Sequence, residues 1–204
     1  YLHCLNYYEQ KHDKAGMLST LNNLGNIYAK QNNFSKAIEY NLRAIKIYEE
    51  SSDKLRTVVG YDNIGNIYLR QGNMPKAKEY FLKSYKLYNE SGNNTGTAYT
   101  LNQLGKIEMQ NGKNDNAISY YNKSLNLAEK LNTQPLIVSN LNDLGAVYSN
   151  MGEYEKAIAA FKRAIDIAKK LNYLIIELDE AYKGLSDVYK ITNQIGKALS
   201  LIHI

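Results

Sequence analysis

The side chains best suited to catalysis are few in this sequence and badly placed for it. The three histidines, His3, His12 and His203, lie at the two ends of 204 residues, so no histidine cluster can form mid-chain. Cys4 is the one cysteine, which excludes an internal disulfide framework and a cysteine-built zinc site. Its place in the pattern described below is a small-residue packing slot, so it reads as a buried small hydrophobe. Acidic residues are scattered rather than grouped as metal ligands are. No Gly-rich loop leads into a helix through Lys-Ser or Lys-Thr, as a phosphate cradle would. The sequence therefore predicts no catalytic residues, no metal and no cofactor. What it holds in quantity is amide and phenol: 25 Asn and 19 Tyr, against 3 Phe, 2 Pro and no Trp. AT-rich codons favour Asn, Tyr, Lys and Ile, which accounts for part of that excess.

The elements that carry these side chains follow from a period of forty. Leu21-Asn22-Asn23-Leu24-Gly25-Asn26-Ile27-Tyr28 returns as Tyr61-Asp62-Asn63-Ile64-Gly65-Asn66-Ile67-Tyr68. It returns again from Leu101 to Glu108 and from Leu141 to Tyr148, and after a one-residue insertion from Tyr182 to Tyr189. A second block follows each glycine, as in Phe34-Ser35-Lys36-Ala37-Ile38 and Tyr154-Glu155-Lys156-Ala157-Ile158. Each row reads as two amphipathic helices, A and B. Leu21, Leu24, Ile27 and Tyr28 share one helical face, and so do Ala37, Ile38, Ala44, Ile45 and Tyr48. A mid-helix glycine costs about 1 kcal/mol against alanine, so its recurrence predicts close helix–helix approach. Gln31-Asn32-Asn33 and Gln71-Gly72-Asn73 are helix-stop and turn residues, and Pro75 falls where a first helical turn tolerates it.

Net charge is +5, and Lys and Glu alternate along the chain instead of forming a basic stripe, which argues against nucleic acid. No stretch approaches the roughly 20 apolar residues of a membrane span.

A lone helix pair cannot bury its apolar face, so neighbours must stack. The pattern resembles the tetratricopeptide repeat family over the whole chain. The resemblance rests on Gly25 with Tyr28, the turn glycine Gly72, the aromatic Tyr154, and the helix-B alanines Ala37 and Ala44. It departs from the common form in its 40-residue period and missing tryptophan. The fold it implies is all-α, a right-handed superhelical solenoid of antiparallel helix pairs. The rows divide it into a half repeat at 1–20, full repeats at 21–60, 61–100, 101–140 and 141–181, and a partial repeat at 182–204. Residues 1–20 align with 41–60, which suggests a fragment of a longer chain cut inside helix B at both ends. Leu2, Leu5, Leu201 and Ile202 are then expected to be exposed, with end-to-end self-association through the uncapped helices.

The resemblance also implies a concave groove lined by helices A that takes an extended peptide or a partner helix. Carried over, its residues are Asn22, Asn26, Asp62, Asn66, Arg70, Asn102, Lys106 and Asn142. Ala146, Lys183 and Asp187 hold the same places, with Lys30, Gln110 and Asn150 farther along. An amide both donates and accepts, as a peptide backbone does, and Arg70 and Lys106 suit a carboxylate. The family's clamp for acidic chaperone tails needs cations that Asn22, Asn26, Asn63, Tyr99 and Gln103 do not supply. In the third repeat Glu108, Asn114 and Ser124 replace a tyrosine, an aromatic and an alanine. These read as tolerant, half-exposed positions or as a softer joint. The resemblance points to a non-enzymatic protein- or peptide-interaction module, the sensing or scaffolding segment of a larger bacterial signalling protein. A receptor for a short signalling peptide and a eukaryotic-type adaptor are the alternatives, and the compartment stays open between bacterial cytoplasm and periplasm.

Overall fold

The computed structural model describes residues 1–171 and 174–201. Among them the chain is all-α. The helices are α1 (Leu2–Gln10), α2 (Lys14–Lys30), α3 (Phe34–Glu50), α4 (Lys54–Arg70), α5 (Met74–Glu90) and α6 (Asn94–Gln110). They continue with α7 (Asn114–Lys130), α8 (Gln134–Asn150), α9 (Tyr154–Ala168), α10 (Ile175–Ile191) and α11 (Ile195–Ser200). Even-numbered helices are helices A and odd-numbered ones helices B. The period of forty is exact in α2, α4, α6 and α8, each of 17 residues.

The turns are built from one design, legible in the residues between the helices. After most C-caps, α9 excepted, the next residue enters the left-handed region, at Asn32 (φ 58°) and Gly72 (φ 76°) among others. Glycine and asparagine tolerate that region. The next residue donates its N–H back to the helix just ended, Asn33 to the Tyr28 carbonyl and Asn73 to that of Tyr68, both at 2.9 Å. This is the Schellman closure. In the first half of the chain the same residue then caps the following helix. Asp13, Asn33, Asp53 and Asn73 each accept from a backbone N–H of the first turn, worth about 1 kcal/mol per cap. Lys113, Thr133 and Glu153 make no such side-chain bond. Pro75 and Pro135 sit in the first turns of α5 and α8, where a missing N–H does no harm.

The helices fall into two compact units, residues 1–93 and 94–204. In unit 1, Leu21 and Leu24 of α2 pack with Tyr40, Ala44 and Tyr48 of α3 and with Leu5. In unit 2 the core runs through Tyr121, Val138, Leu144, Phe161, Ile165 and Leu185. The recurring glycine marks the close approach expected of it. A Cβ on Gly65 would lie 2.9 Å from the Phe81 ring, and one on Gly145 2.7 Å from that of Phe161. In α10, Ser186 stands where the glycine was, and Gly184 takes over, where a Cβ would run into the same Phe161 ring.

Three expectations are corrected. Leu5 is buried at 4% exposure, because it faces the α2–α3 core. Cys4 is exposed, although Ala44 at its aligned place is buried. Ala44 is covered by Leu21 and Leu24 of α2, and no described helix covers α1 on the corresponding side. Glu108 and Ser124 are fully buried, not half-exposed; Asn114 alone of the three is half-buried. Leu2 is exposed and Leu201 half-buried, while Ile202 lies outside the described residues.

The burial of Glu108 has a local cause. Elsewhere a tyrosine of helix A lies under a lysine eight residues on: Lys36 over Tyr28, Lys76 over Tyr68, Lys156 over Tyr148 and Lys197 over Tyr189, at 5.0 to 5.6 Å. In α6 both partners change together, and the Asn116 amide donates to the Glu108 carboxylate at 3.4 Å. Ser124 is satisfied by the Ala98 carbonyl, 2.6 Å away.

Candidate functional site

The eight residues assigned to the groove divide by unit and by what their polar atoms do. In unit 1, Asn26 is exposed and Asn22 half-buried. The Asn22 amide donates to the Tyr48 hydroxyl at 2.8 Å. Forty residues on, the same pair recurs with its polarity reversed. Asp62, 8% exposed, accepts from the Tyr88 hydroxyl at 2.8 Å. Burial pushes the Asp62 carboxyl up to about 6, opposed by the Tyr88 hydrogen bond and the nearby Ser84 hydroxyl, which favour the charged form. Its other oxygen, Oδ1, is buried and unpartnered. Asn66 is half-buried. Arg70 is exposed, yet its guanidinium donates to Asn32 Oδ1 at 2.9 Å and lies 5.6 Å over the Phe34 ring. It ties the end of α4 to the α2–α3 turn.

In unit 2 the helices A are joined directly. Asn102 is 2% exposed and its amide donates to Asn140 Oδ1 at 3.0 Å and to Asp143 Oδ2 at 2.8 Å, bridging α6 to α8. Asn140 in turn donates to Ser124. Asn142, 6% exposed, donates to the Glu177 carbonyl and bridges α8 to α10. Lys106 stands 3.6 Å from Asp143. Burial raises the Asp143 carboxyl above its ordinary range, and the nearby Lys106 and the Asn102 hydrogen bond oppose that rise. Asn102 and Asn142 thus hold repeat to repeat in unit 2, whereas Asp62 ties α4 to α5 within one pair. Asn26, Asn66, Arg70 and Lys106 keep surface on helices A, as do Lys183 and Asp187 of α10.

A helix-B residue decides between the two arrangements. Tyr48 stands where α7 and α9 have Ala128 and Ala168, both fully buried or nearly so. The alanines leave room for an asparagine of one helix A to reach the next. The Tyr48 ring instead occupies that space and takes the Asn22 amide on its hydroxyl. Beside it opens a cleft of about 560 Å³ between the N-terminal halves of α2 and α4. Leu18, Ile47 and Tyr48 give it an apolar floor, and Lys14, Ser19 and Arg56 stand around it. Asn22, assigned to the groove from the sequence, lines the cleft too; the other six were not singled out as ligand contacts. The signal was present: tyrosine at 48 and 88 against alanine at 128 and 168, and an α2 with no acidic residue.

Among the described residues no three His, Cys, Asp or Glu are grouped to hold a metal ion, and no helix is long and apolar enough to cross a membrane.

Comparison with solved structures finds the same fold. BtubC (BKLC) from P. vanneervenii superposes with a TM-score of 0.85 at 23% identity, over 98% of this chain and 85% of that one. Aspartyl phosphate phosphatase F from Bacillus subtilis gives 0.76 at 15% identity, over 93% of this chain and 59% of that one. A signal transduction ATPase with a tetratricopeptide repeat sensor, from Pyrococcus horikoshii, gives 0.79 at 22% identity, over 91% of this chain and 29% of its own length. No curated protein matches the sequence. Profiles of the tetratricopeptide repeat match residues 56–130 and 96–170, and a further one residues 19–51. With helix pairs repeating every forty residues and profile matches over more than half its length, the chain belongs to the tetratricopeptide repeat family.

Proposed function

We propose that this chain is the sensing or scaffolding segment of a larger bacterial signalling protein, and that it holds an extended peptide or a partner helix along its helices A. The fold is that of a protein-interaction scaffold. The observation that supports the finer reading is that helices A keep Asn26, Asn66 and Arg70 at the surface of unit 1 and Lys106 at that of unit 2. Asn102 and Asn142 tie neighbouring helices A in unit 2. Two proteins of similar fold are an aspartyl phosphate phosphatase and a signal transduction ATPase with a tetratricopeptide repeat sensor, which supports a signalling setting.

The test is a matched pair of triple substitutions. Asn26→Ala with Asn66→Ala and Arg70→Ala should weaken binding of a partner peptide at least tenfold and leave the helical circular dichroism intact. The helix-B set Lys46→Ala, Lys86→Ala and Lys123→Ala should leave binding unchanged. The reverse pattern would move the site off helices A.

A further inference from the structure

We infer that the exposed face of α1, α3 and α5 binds a second copy of this chain, leucine row on leucine row, with the facing helices antiparallel. The inference is independent of the groove reading, because it uses helices B where that reading uses helices A.

Three observations carry it. The first is a row of leucines at the forty-residue period. Leu2, Leu42 and Leu82 take the same place in α1, α3 and α5 and are 54%, 42% and 42% exposed. The helices that bear them are neighbours. Arg43 of α3 pairs with Glu9 of α1, and Glu49 of α3 lines one cleft with Leu87 of α5. A single apolar side chain at the surface is ordinary, but three in register make an apolar row of the kind that marks an interaction surface. The second observation is that the row stops with unit 1. The same place holds Asn122 in α7 and Lys162 in α9, both exposed, so packing of the helix pair does not itself require an apolar residue there.

The third is the order of charge along each helix. Glu39 precedes Leu42 by three residues and Lys46 follows it by four. Glu79 and Lys86 flank Leu82 in the same way, and all four are exposed. Residues at those spacings share one helix face. Turning a second copy about an axis along the row sets α3 antiparallel on α3 and α5 antiparallel on α5. Leucine then meets leucine, and Glu39 and Glu79 of each copy meet Lys46 and Lys86 of the other, as an isologous interface requires. A parallel arrangement would instead set Glu on Glu and Lys on Lys, and the same turn in unit 2 would set Lys162 on itself. Net charge does not drive this pairing, since Glu79 and Lys86 already pair along their own helix with Lys83 and Glu90. With the Glu79 and Lys86 side chains 57% and 77% exposed, those pairs hold weakly. The leucines supply the attraction and the charges set the orientation.

The experiment is sedimentation velocity of the chain from about 5 to about 200 µM, the range in which a micromolar self-association shows. The mean mass should climb from that of one copy toward that of two. Leu42→Lys with Leu82→Lys should stay monomeric throughout, with circular dichroism unaltered. Lys46→Glu/Lys86→Glu and Glu39→Lys/Glu79→Lys should each weaken self-association at least tenfold. An equimolar mixture of those two variants should associate, and all four changes in one chain should restore the behaviour of the parent. A parent that stays monomeric at the highest concentration overturns the inference and leaves the row to a different partner. Association that survives the leucine changes overturns it too, and moves the contact to the end helices. Association lost with the leucines but not regained by the fourfold exchange overturns the antiparallel arrangement. None of these results bears on peptide binding along helices A.

Discussion

At the scale of single residues, the asparagines do several different things that composition lumps together. Asn32 and Asn132 accept left-handed backbone, Asn33 and Asn73 cap helices, and Asn102 and Asn142 bridge neighbouring helices A. Asp62 is the informative exception, a carboxylate where Asn22, Asn102 and Asn142 hold the equivalent place. Its folded pKa of about 6 lies above the ordinary 3.8. Between those values folded Asp62 binds more proton than it does in the unfolded chain, so its contribution to stability is full below about pH 4 and is lost as pH rises through 6. The loss at neutral pH is about 3 kcal/mol. Asp62→Asn should remove it, since Asn22 already shows an amide bonded to the matching tyrosine. Urea midpoints at pH 4.5 and 7.5 measure this directly. The parent should lose more stability between the two pH values than the variant, which keeps only the slope of other groups such as Asp143; a variant that kept the parent's full slope would assign the slope to those groups.

At the scale of the helix pair, the sequence discloses what depends on one residue and hides what depends on two. The forty-residue period, the close approach at Gly65 and Gly145, and the turns at Asn32 and Gly72 each follow from a residue type at a fixed place. The orientation of Asn102 does not, because Ala128 on the other helix of its pair decides whether that amide reaches the next helix A or turns back, as Asn22 does to Tyr48. For the same reason an alignment places Asn22 and Asn102 in one ladder, while the structure leaves the first half-buried on Tyr48 and buries the second. Glu108 is a third case: alone it reads as a surface residue, and only with Asn116 does it fit a buried place. The pair Glu108→Tyr with Asn116→Lys restores the arrangement of the other repeats, where Tyr28 also stacks on Tyr40 and Tyr68 on Tyr80. It replaces a buried carboxylate by an aromatic pair and a cation over its face, and should stabilise by about 1–3 kcal/mol. Thermal melts of the double variant and of each single change test it. Either single change should gain less than the pair, and a double variant no more stable than the parent would show that Glu108 is already well accommodated.

At the scale of the whole molecule, a stack of repeats has stability distributed along the chain, each pair contributing its own term and a term for its neighbours. Phe161 is the sharpest probe of this. Its ring lies under both Gly145 of α8 and Gly184 of α10, so one side chain fills the contact of α9 with two helices A. Phe161→Ala removes that ring at a cost of about 3–5 kcal/mol. In a single cooperative globule such a loss would lower amide protection everywhere by the same free energy. In a chain of nearest-neighbour terms it falls on α8, α9 and α10, while α2 and α3, whose core is Leu21, Leu24, Tyr40 and Tyr48, keep their protection. Hydrogen exchange of parent and variant, read peptide by peptide, separates the two. The expected result is faster exchange across residues 134–191 and unchanged exchange across 14–50. The same data also compare 101–128 with 141–168 in the parent and so measure whether Glu108 and Ser124 make a softer joint. Uniform acceleration from 14 to 191 would mean that the repeats unfold as one block. A ligand bound to unit 1 would then stabilise α8 to α10 as much as α2 to α4; local acceleration confines its protection to the helices it touches.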